Sequence, residues 1–233
     1  MKLNFSHKEN IANNIWNFYF KPLDLVQFTP GQFIELEVTK DKMDDRGNKR
    51  WFTISSSPKD KYLTITTRIF DQSSTYKQFL MNLKKDDQLN FNGPMGDFVL
   101  PKIIETPLIF IAAGIGITPY LSMINYLYQI KESRSIHLFW ALNNENDIIK
   151  NEALDQYDLK KTLIISHPSE FWGGERGHLT PEMVLDLESP TNQTLYYISG
   201  PEKMVEDLSQ KFKLLIKDDN RIISDYFPGY IDY

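Results

Sequence analysis

The chain has 233 residues, 41% hydrophobic and 13% aromatic, which is enough to fill packed cores and excludes a disordered polymer. It has no cysteine, so disulfides, thiolate zinc sites, a cysteine nucleophile and an iron–sulfur cluster carried on its own thiolates are excluded. A formal net charge of −5 argues against a general nucleic-acid binder, and His7, His137, His167 and His178 are scattered without ligand-like spacing, so no metal site is expected.

Taken in chain order, Met1 to His7 lacks the apolar core of a signal peptide. The first hundred residues then read as short strands: Ile15 to Phe20, Phe33 to Val38, Trp51 to Ile54, Leu63 to Ile69 and Gln88 to Phe91. Turn signals separate them at Thr29-Pro30-Gly31, Asp44 to Asn48, Ser57-Pro58 and Gly93-Pro94. This rhythm predicts a small antiparallel barrel of six strands. One helix interrupts it from Thr75 to Leu83, with Tyr76, Phe79, Leu80 and Leu83 on one face.

From Thr106 the pattern changes to strand and helix in alternation. Strands are predicted at Leu108 to Ala112, Ile136 to Ala141, Thr162 to Ser166 and Leu195 to Ser199. Helices are predicted at Pro119 to Lys131, Ile148 to Tyr157, Pro181 to Leu187 and Glu202 to Ile216. Such alternation implies a doubly wound parallel sheet with its ligand at the carboxyl ends of the strands. The predicted domains are 1–102 and 103–233. The longest apolar run, Pro107 to Ala113, is far too short to span a bilayer, so a soluble, cytoplasmic protein is expected.

Two stretches carry chemistry. In Arg50-Trp51-Phe52-Thr53-Ile54-Ser55-Ser56, Arg50 can fork onto phosphate oxygens, and either aromatic can cover a flat ring. The Thr53 hydroxyl can hydrogen-bond a ring nitrogen. An ordinary barrel strand with one surface arginine fits the same residues equally well. The second stretch, Gly114-Ile115-Gly116-Ile117-Thr118-Pro119, follows a buried strand and opens a helix. Its glycines let the backbone approach a pyrophosphate, Thr118 can cap the helix, and Pro119 suits the first turn. The alternative is a purely structural glycine turn.

Weaker signals surround these two. Ser73-Ser74-Thr75 can cap the first helix, with or without an anion. Ser199-Gly200-Pro201-Glu202-Lys203-Met204 repeats the strand–turn–helix design, and a doubly wound sheet places it beside the first glycine turn. The tail from Asp225 to Tyr233 is rich in aromatics, whereas frayed termini are usually polar; it is expected to pack on the barrel, seal a dimer or cover a ligand.

In this order the motifs resemble the ferredoxin–NADP reductase family over essentially the whole chain. Phe28-Thr29-Pro30-Gly31-Gln32-Phe33 is similar to the family's P-G-Q-F, Arg50 to Thr53 to its R-x-[YF]-[ST], and Ser73 to Thr75 to its pyrophosphate segment. Gly93 to Phe98 resembles G-P-x-G-x-F, Gly114 to Pro119 the pyridine-nucleotide turn, and Gly200-Pro201 with Met204 the G-P-x-x-M motif. The resemblance implies FAD in the barrel and NAD(P)H on the α/β domain. Arg50 would bind flavin phosphate, Trp51 and Phe52 would flank the ring, with Phe52 stacking, and Thr53 would contact its reactive nitrogen. Thr67 and Arg68 would also touch the flavin, and Ser73, Ser74 and Thr75 its pyrophosphate. Gly114, Gly116, Thr118 and Pro119 would hold the nucleotide, and Gly200, Pro201 and Met204 would line the nicotinamide end. Phe227 or Tyr230 would cover the second flavin face, and Asp225 lies near where the family carries a carboxylate.

The implied activity is hydride transfer from NAD(P)H to flavin, with the two rings stacked between domains. Electrons then pass to a separate acceptor: a small redox protein, free flavin or a small molecule. The alternatives are an electron-transfer subunit of a larger complex and a nucleotide-binding regulatory protein without turnover. Three departures stand out. Ser73 replaces a glycine, Phe52 a tyrosine, and Leu142-Asn143-Asn144 lacks an arginine common in the family. Arg176 is then either the cation for a 2′-phosphate, which would favour NADPH, or a loop surface residue.

Overall fold

A computed structural model describes residues 1–38 and 47–226. They form two compact units. The first comprises Met1–Leu100 with Thr118–Gln129; the second comprises Pro101–Ile117 with the residues from Ile130 onward.

The first unit is built on six antiparallel strands, β1 (Lys2–Ala12), β2 (Ile15–Pro22), β3 (Phe33–Glu37), β4 (Lys49–Thr53), β5 (Leu63–Arg68) and β6 (Gln88–Met95), in the order β4-β3-β6-β1-β2-β5. The outer strands approach at a bridge between Ile54 and Ile65, and Ser55 N donates to Thr64 O at 2.9 Å, so the sheet curls into a barrel. Alternate residues point inward and interlock: Phe5, Phe18, Phe20, Ile34, Leu36, Ile54, Ile65 and Phe91 fill the interior. Helix α1 (Thr75–Met81) adds Tyr76 and Leu80, and Leu83 joins the core just past its end. Helix α2 (Thr118–Ile130) also packs within this unit.

Strand β1 is absent from the sequence expectations for a physical reason. Only Leu3 and Phe5 are buried along it, so it lacks the period-two pattern, and pairing with β2 over its full length holds it in place. Asn14 turns this hairpin in a left-handed conformation, at φ 55, which asparagine tolerates.

The second unit is a parallel sheet of β7 (Leu108–Ala113), β8 (Ile136–Leu142), β9 (Lys160–Ile165), β10 (Glu175–Arg176), β11 (Leu195–Gly200) and β12 (Ile222–Tyr226). The order is β10-β9-β8-β7-β11-β12, so the winding reverses beside β7, as in doubly wound sheets. Helices α3 (Glu152–Gln156), α4 (Pro181–Leu187) and α5 (Glu202–Ile216) follow β8, β10 and β11. Helix α3 is shorter than the predicted Ile148 to Tyr157. Asn151 stays extended and its side chain accepts from Leu154 N at 3.0 Å, which starts the helix there. Strand β12 was not predicted; Asp225 and Tyr226, assigned to an aromatic tail, are its last residues. Among the described residues no helix is long and apolar enough to cross a membrane.

Candidate functional site

In the first unit the chemistry gathers on β4. Pairing with β3 sets Arg50 opposite Leu36, Trp51 opposite Glu35, Phe52 opposite Ile34 and Thr53 opposite Phe33. Arg50 and Phe52 share one face of the strand. The Arg50 guanidinium carbon lies 5.0 Å from the centre of the Tyr76 ring, and Nη1 donates to Gly47 O at 3.0 Å and Lys49 O at 2.6 Å. Because Tyr76 directly follows Thr75, this contact brings Arg50 beside the helix that Ser73, Ser74 and Thr75 open. The Tyr76 hydroxyl donates to Leu36 O at 2.7 Å; burial pushes its pKa far upward, and the Arg50 charge only partly opposes this.

Phe52 is 7% exposed and packs at 6.0 Å from Tyr76 within the barrel core. Trp51, on the opposite face, is 45% exposed and tilts against Phe33 at 6.2 Å. Trp51 therefore carries the larger exposed aromatic surface of β4, and Phe52 is almost wholly buried. Thr53 is 3% exposed, and its Oγ1 has no hydrogen-bond partner. A buried hydroxyl without a partner costs about 1–3 kcal/mol. A ring nitrogen or oxygen brought to Oγ1 would satisfy it, and in this respect the strand fits a flavin.

Thr67 is buried in β5 opposite Trp16. Arg68, at the strand end, lies 5.9 Å from the Phe70 ring, and its carbonyl accepts from Lys77 Nζ at 2.7 Å. Ser73 Oγ accepts from Phe70 N at 2.8 Å and closes a tight turn. Ser74 Oγ accepts from Lys77 N at 3.4 Å and caps α1. The serine that replaces the family glycine at position 73 thus has a local structural use.

In the second unit β7 runs into a single 3₁₀ turn, Gly114–Ile117, which leads to α2. Gly116 is required by close approach: a Cβ there would stand 2.3 Å from Ser199 O and 2.7 Å from Gly200 Cα. Gly114 has φ +51, and a Cβ on it would meet nothing within 4 Å, so the turn faces an open cradle. Gly200 packs against Ala113 and Met204, and Pro201 begins α5 with no side-chain cap. Parallel pairing sets Ser199 opposite Ala112 on one side and opposite Asp225 on the other. Gly114, Gly116, Gly200, Pro201, Met204 and Asp225 thereby converge at the carboxyl ends of β7, β11 and β12, where open α/β sheets bind ligands. Thr118 and Pro119 begin α2 and are grouped with the first unit. Phe227 and Tyr230 lie outside the described residues.

Two features carried no motif. Trp140, near the end of β8, donates its indole N–H to Gly114 O at 3.0 Å and so fixes the glycine turn from the neighbouring strand. A tryptophan near a strand end signals that its N–H needs an acceptor, but not which one. The second feature is the loop after β9. Arg176 Nη2 serves the carbonyls of Ser169, Glu170 and Trp172 at 3.2, 3.3 and 2.7 Å. Glu145 accepts from Ser169 Oγ at 2.7 Å and Ser169 N at 2.9 Å, and the Ser169 hydroxyl is the main cause of a pKa below the usual carboxylate value.

Residues 2–100 match the family model of an oxidoreductase FAD-binding domain, and residues 110–210 that of an oxidoreductase NAD-binding domain. NADH-cytochrome b5 reductase 1 of Neosartorya fischeri is 26% identical over 218 residues, covering 87% of this chain and 70% of that protein. Among solved structures, the flavohem-like FAD/NAD-binding domain of nitric oxide dioxygenase from Vibrio cholerae superposes with a TM-score of 0.81 at 20% identity, covering 97% of this chain and 98% of that one. A ferredoxin-NADP+ reductase from Plasmodium falciparum gives a TM-score of 0.78 at 20% identity, covering 97% and 95%. The two superpositions show the fold, and the paired domain matches over the cradle and β4 show the cofactors. The chain belongs to the ferredoxin–NADP reductase-like family of flavoprotein reductases, enzymes that take electrons from NAD(P)H into FAD and pass them to a separate acceptor.

Proposed function

We propose that this reductase prefers NADH and donates electrons to a separate haem protein of the cytochrome b5 kind. The observation that carries the nucleotide preference is Arg176. A 2′-phosphate needs a nearby cation, and this guanidinium serves three main-chain carbonyls of its own loop. The residues after β8 are Asn143, Asn144 and Glu145, and a carboxylate there disfavours a second anion. The acceptor is supported by the named activity of the Neosartorya relative.

FAD, when bound, would supply the redox chemistry between NAD(P)H and the acceptor. The proposed work of the protein is placement. Arg50 neutralises phosphate charge beside the segment of Ser73, Ser74 and Thr75, Trp51 gives an open aromatic face, and Phe52 backs the strand from the core. Thr53 Oγ1 holds a hydrogen bond to the ring, and Thr67 and Arg68 flank it. Gly114 and Gly116 let the backbone approach the nucleotide pyrophosphate, with Thr118 and Pro119 opening the helix that follows. Gly200, Pro201 and Met204 would line the nicotinamide end, and Asp225 sets a carboxylate beside Ser199.

The test is anaerobic rapid mixing of the FAD-loaded protein with NADH and, separately, NADPH, followed by oxidised cytochrome b5. NADH is expected to bleach the flavin with at least about tenfold higher efficiency, equal to ~1.4 kcal/mol of discrimination. Equal use of NADPH would overturn the preference, and failure of the reduced protein to reduce cytochrome b5 would overturn the acceptor.

A further inference from the structure

Helix α2 belongs to the first unit, and every residue from Thr118 to Ile124 is buried. A helix so buried is held chiefly by apolar contacts, yet α2 also carries polar tethers at Ser122 and Gln129. Ser122, 0% exposed, donates from Oγ to Ser56 O at 2.6 Å. Gln129 Oε1 accepts from Ser57 Oγ at 2.6 Å, and its Nε2 donates to Asp60 Oδ1 at 2.6 Å. Asp60 Oδ2 in turn accepts from Ser57 N at 2.8 Å. The loop that follows β4 is thus tied to α2 at two points about two helical turns apart.

The positions of the tied residues give this contact its meaning. Ser122 stands one turn beyond Thr118 on the same helix face, about 6 Å along the axis. Ser56 stands three residues beyond Thr53, and the backbone between them has no slack. Ile54 N donates to Gln32 O at 2.9 Å, Ser55 N to Thr64 O at 2.9 Å, and Ser56 Oγ accepts from Thr64 N at 3.0 Å. A serine inside a helix ordinarily bonds back to a carbonyl of its own preceding turn. Ser122 instead commits its single proton to another segment.

We infer that Ser122 is a positioning residue for hydride transfer: its bond to Ser56 fixes where Thr118 and Pro119 stand relative to the Thr53 hydroxyl. The inference rests on the proposed roles of Thr118 and Pro119 toward the nicotinamide dinucleotide and of Thr53 toward the flavin. Gln129, through Ser57 and Asp60, holds the far end of the same helix and prevents it from pivoting. Transfer rates fall about a hundredfold for a misplacement near 1 Å, so one lost tether is legible in the rate.

The experiment uses the FAD-loaded protein, anaerobic rapid mixing with NADH, and ferricyanide as the oxidant of the reduced flavin. Ser122→Ala is expected to lower the limiting rate of flavin reduction by about tenfold or more, with FAD content and reoxidation by ferricyanide unchanged. Gln129→Met, at the outer end, is expected to lower the same rate by about threefold. A wild-type limiting rate in Ser122→Ala would overturn the inference. So would a loss of FAD with proportional slowing of both half-reactions, which is the signature of a merely structural serine. If Ser122→Ala does not fold, Gln129→Met decides, and an unchanged rate there overturns the inference. Wild-type flavin that NADH fails to bleach would overturn the nucleotide reading itself, and this inference with it.

Discussion

The carbonyl oxygen of Ser199 stands 2.3 Å from where a Cβ at Gly116 would lie, so the turn after β7 and the end of β11 meet backbone to backbone. Gly116→Ala must push one of them away, at about 1–3 kcal/mol for overpacking in a fixed site. The expected outcome is a lower melting temperature with retained yellow colour and a dissociation constant for NADH at least about tenfold weaker, since the turn that meets the pyrophosphate is the part displaced. NADH titration of the FAD-loaded variant checks this, and wild-type affinity would contradict it.

Thr53 gives a prediction with opposite signs in two assays. Thr53→Val keeps the shape and removes a buried oxygen that has no partner. The FAD-free protein should gain about 1–2 kcal/mol in urea unfolding, because an unsatisfied polar atom is gone. The FAD-loaded protein should lose about 10- to 100-fold in flavin reduction by NADH, the usual scale for one positioned donor. A variant that is neither more stable when empty nor slower when loaded removes Thr53 from the site.

Gly31 stands at φ +100, and a Cβ there would lie 1.9 Å from Phe98 O and 2.6 Å from Met123 Cε. Gly31→Ala therefore incurs backbone strain and overlap together, and a loss of at least about 2 kcal/mol in unfolding free energy is expected. Urea melts of the two proteins measure the difference directly.

Acid sensitivity is expected from His137. It is buried beneath Phe139, with Nδ1 against Glu188 and Nε2 2.8 Å from Thr162 Oγ1. Desolvation lowers its pKa, helped by the Lys160 charge, and the hydrogen bond to Glu188 only partly offsets this. Glu188 is also shifted down: burial works to raise it, and the hydrogen bonds from His137 and Lys160 outweigh burial. Both folded values lie below the unfolded ones, so the unfolded chain takes up protons first and stability falls with acidification. The histidine contribution is complete above the ordinary value of 6.5 and is lost as pH drops through its lower folded value. His137→Asn should flatten the fall in melting temperature between pH 7 and 5. An unchanged slope would assign the acid sensitivity elsewhere.

Arg176→Ala should not lower the use of NADPH relative to NADH, because its guanidinium already serves Ser169, Glu170 and Trp172. Ratios of kcat/KM for the two nucleotides measure this. A selective loss of NADPH turnover would show that the guanidinium leaves the loop to meet a 2′-phosphate.

The amino-acid pattern carried the fold wherever burial imposed a period. The runs at Leu108, Ile136 and Leu195 form parallel strands, and Glu202 to Ile216 is a helix over that whole span. The pattern was silent where pairing rather than burial shapes the chain, as in the polar half of β1 and in β12. At the site, Gly114 and Gly116 were legible because tight turns restrict residue choice. Trp140 and Ser122 were not, since a hydrogen bond to a distant carbonyl leaves no spacing rule in the chain.

The packing of α2 with the barrel bears on the order of synthesis. Domains tend to fold from the N-terminus as the chain emerges. The first unit, however, ends with residues made after β7, so its last element is not available until Gln129 has been polymerised. Until then Ser56 lacks its serine partner and Phe98 lacks Tyr120, whose ring closes on it at 5.9 Å. A ribosome stalled with residue 100 just emerged should carry a barrel that proteases still cut, and one stalled with α2 fully emerged should carry a barrel that resists.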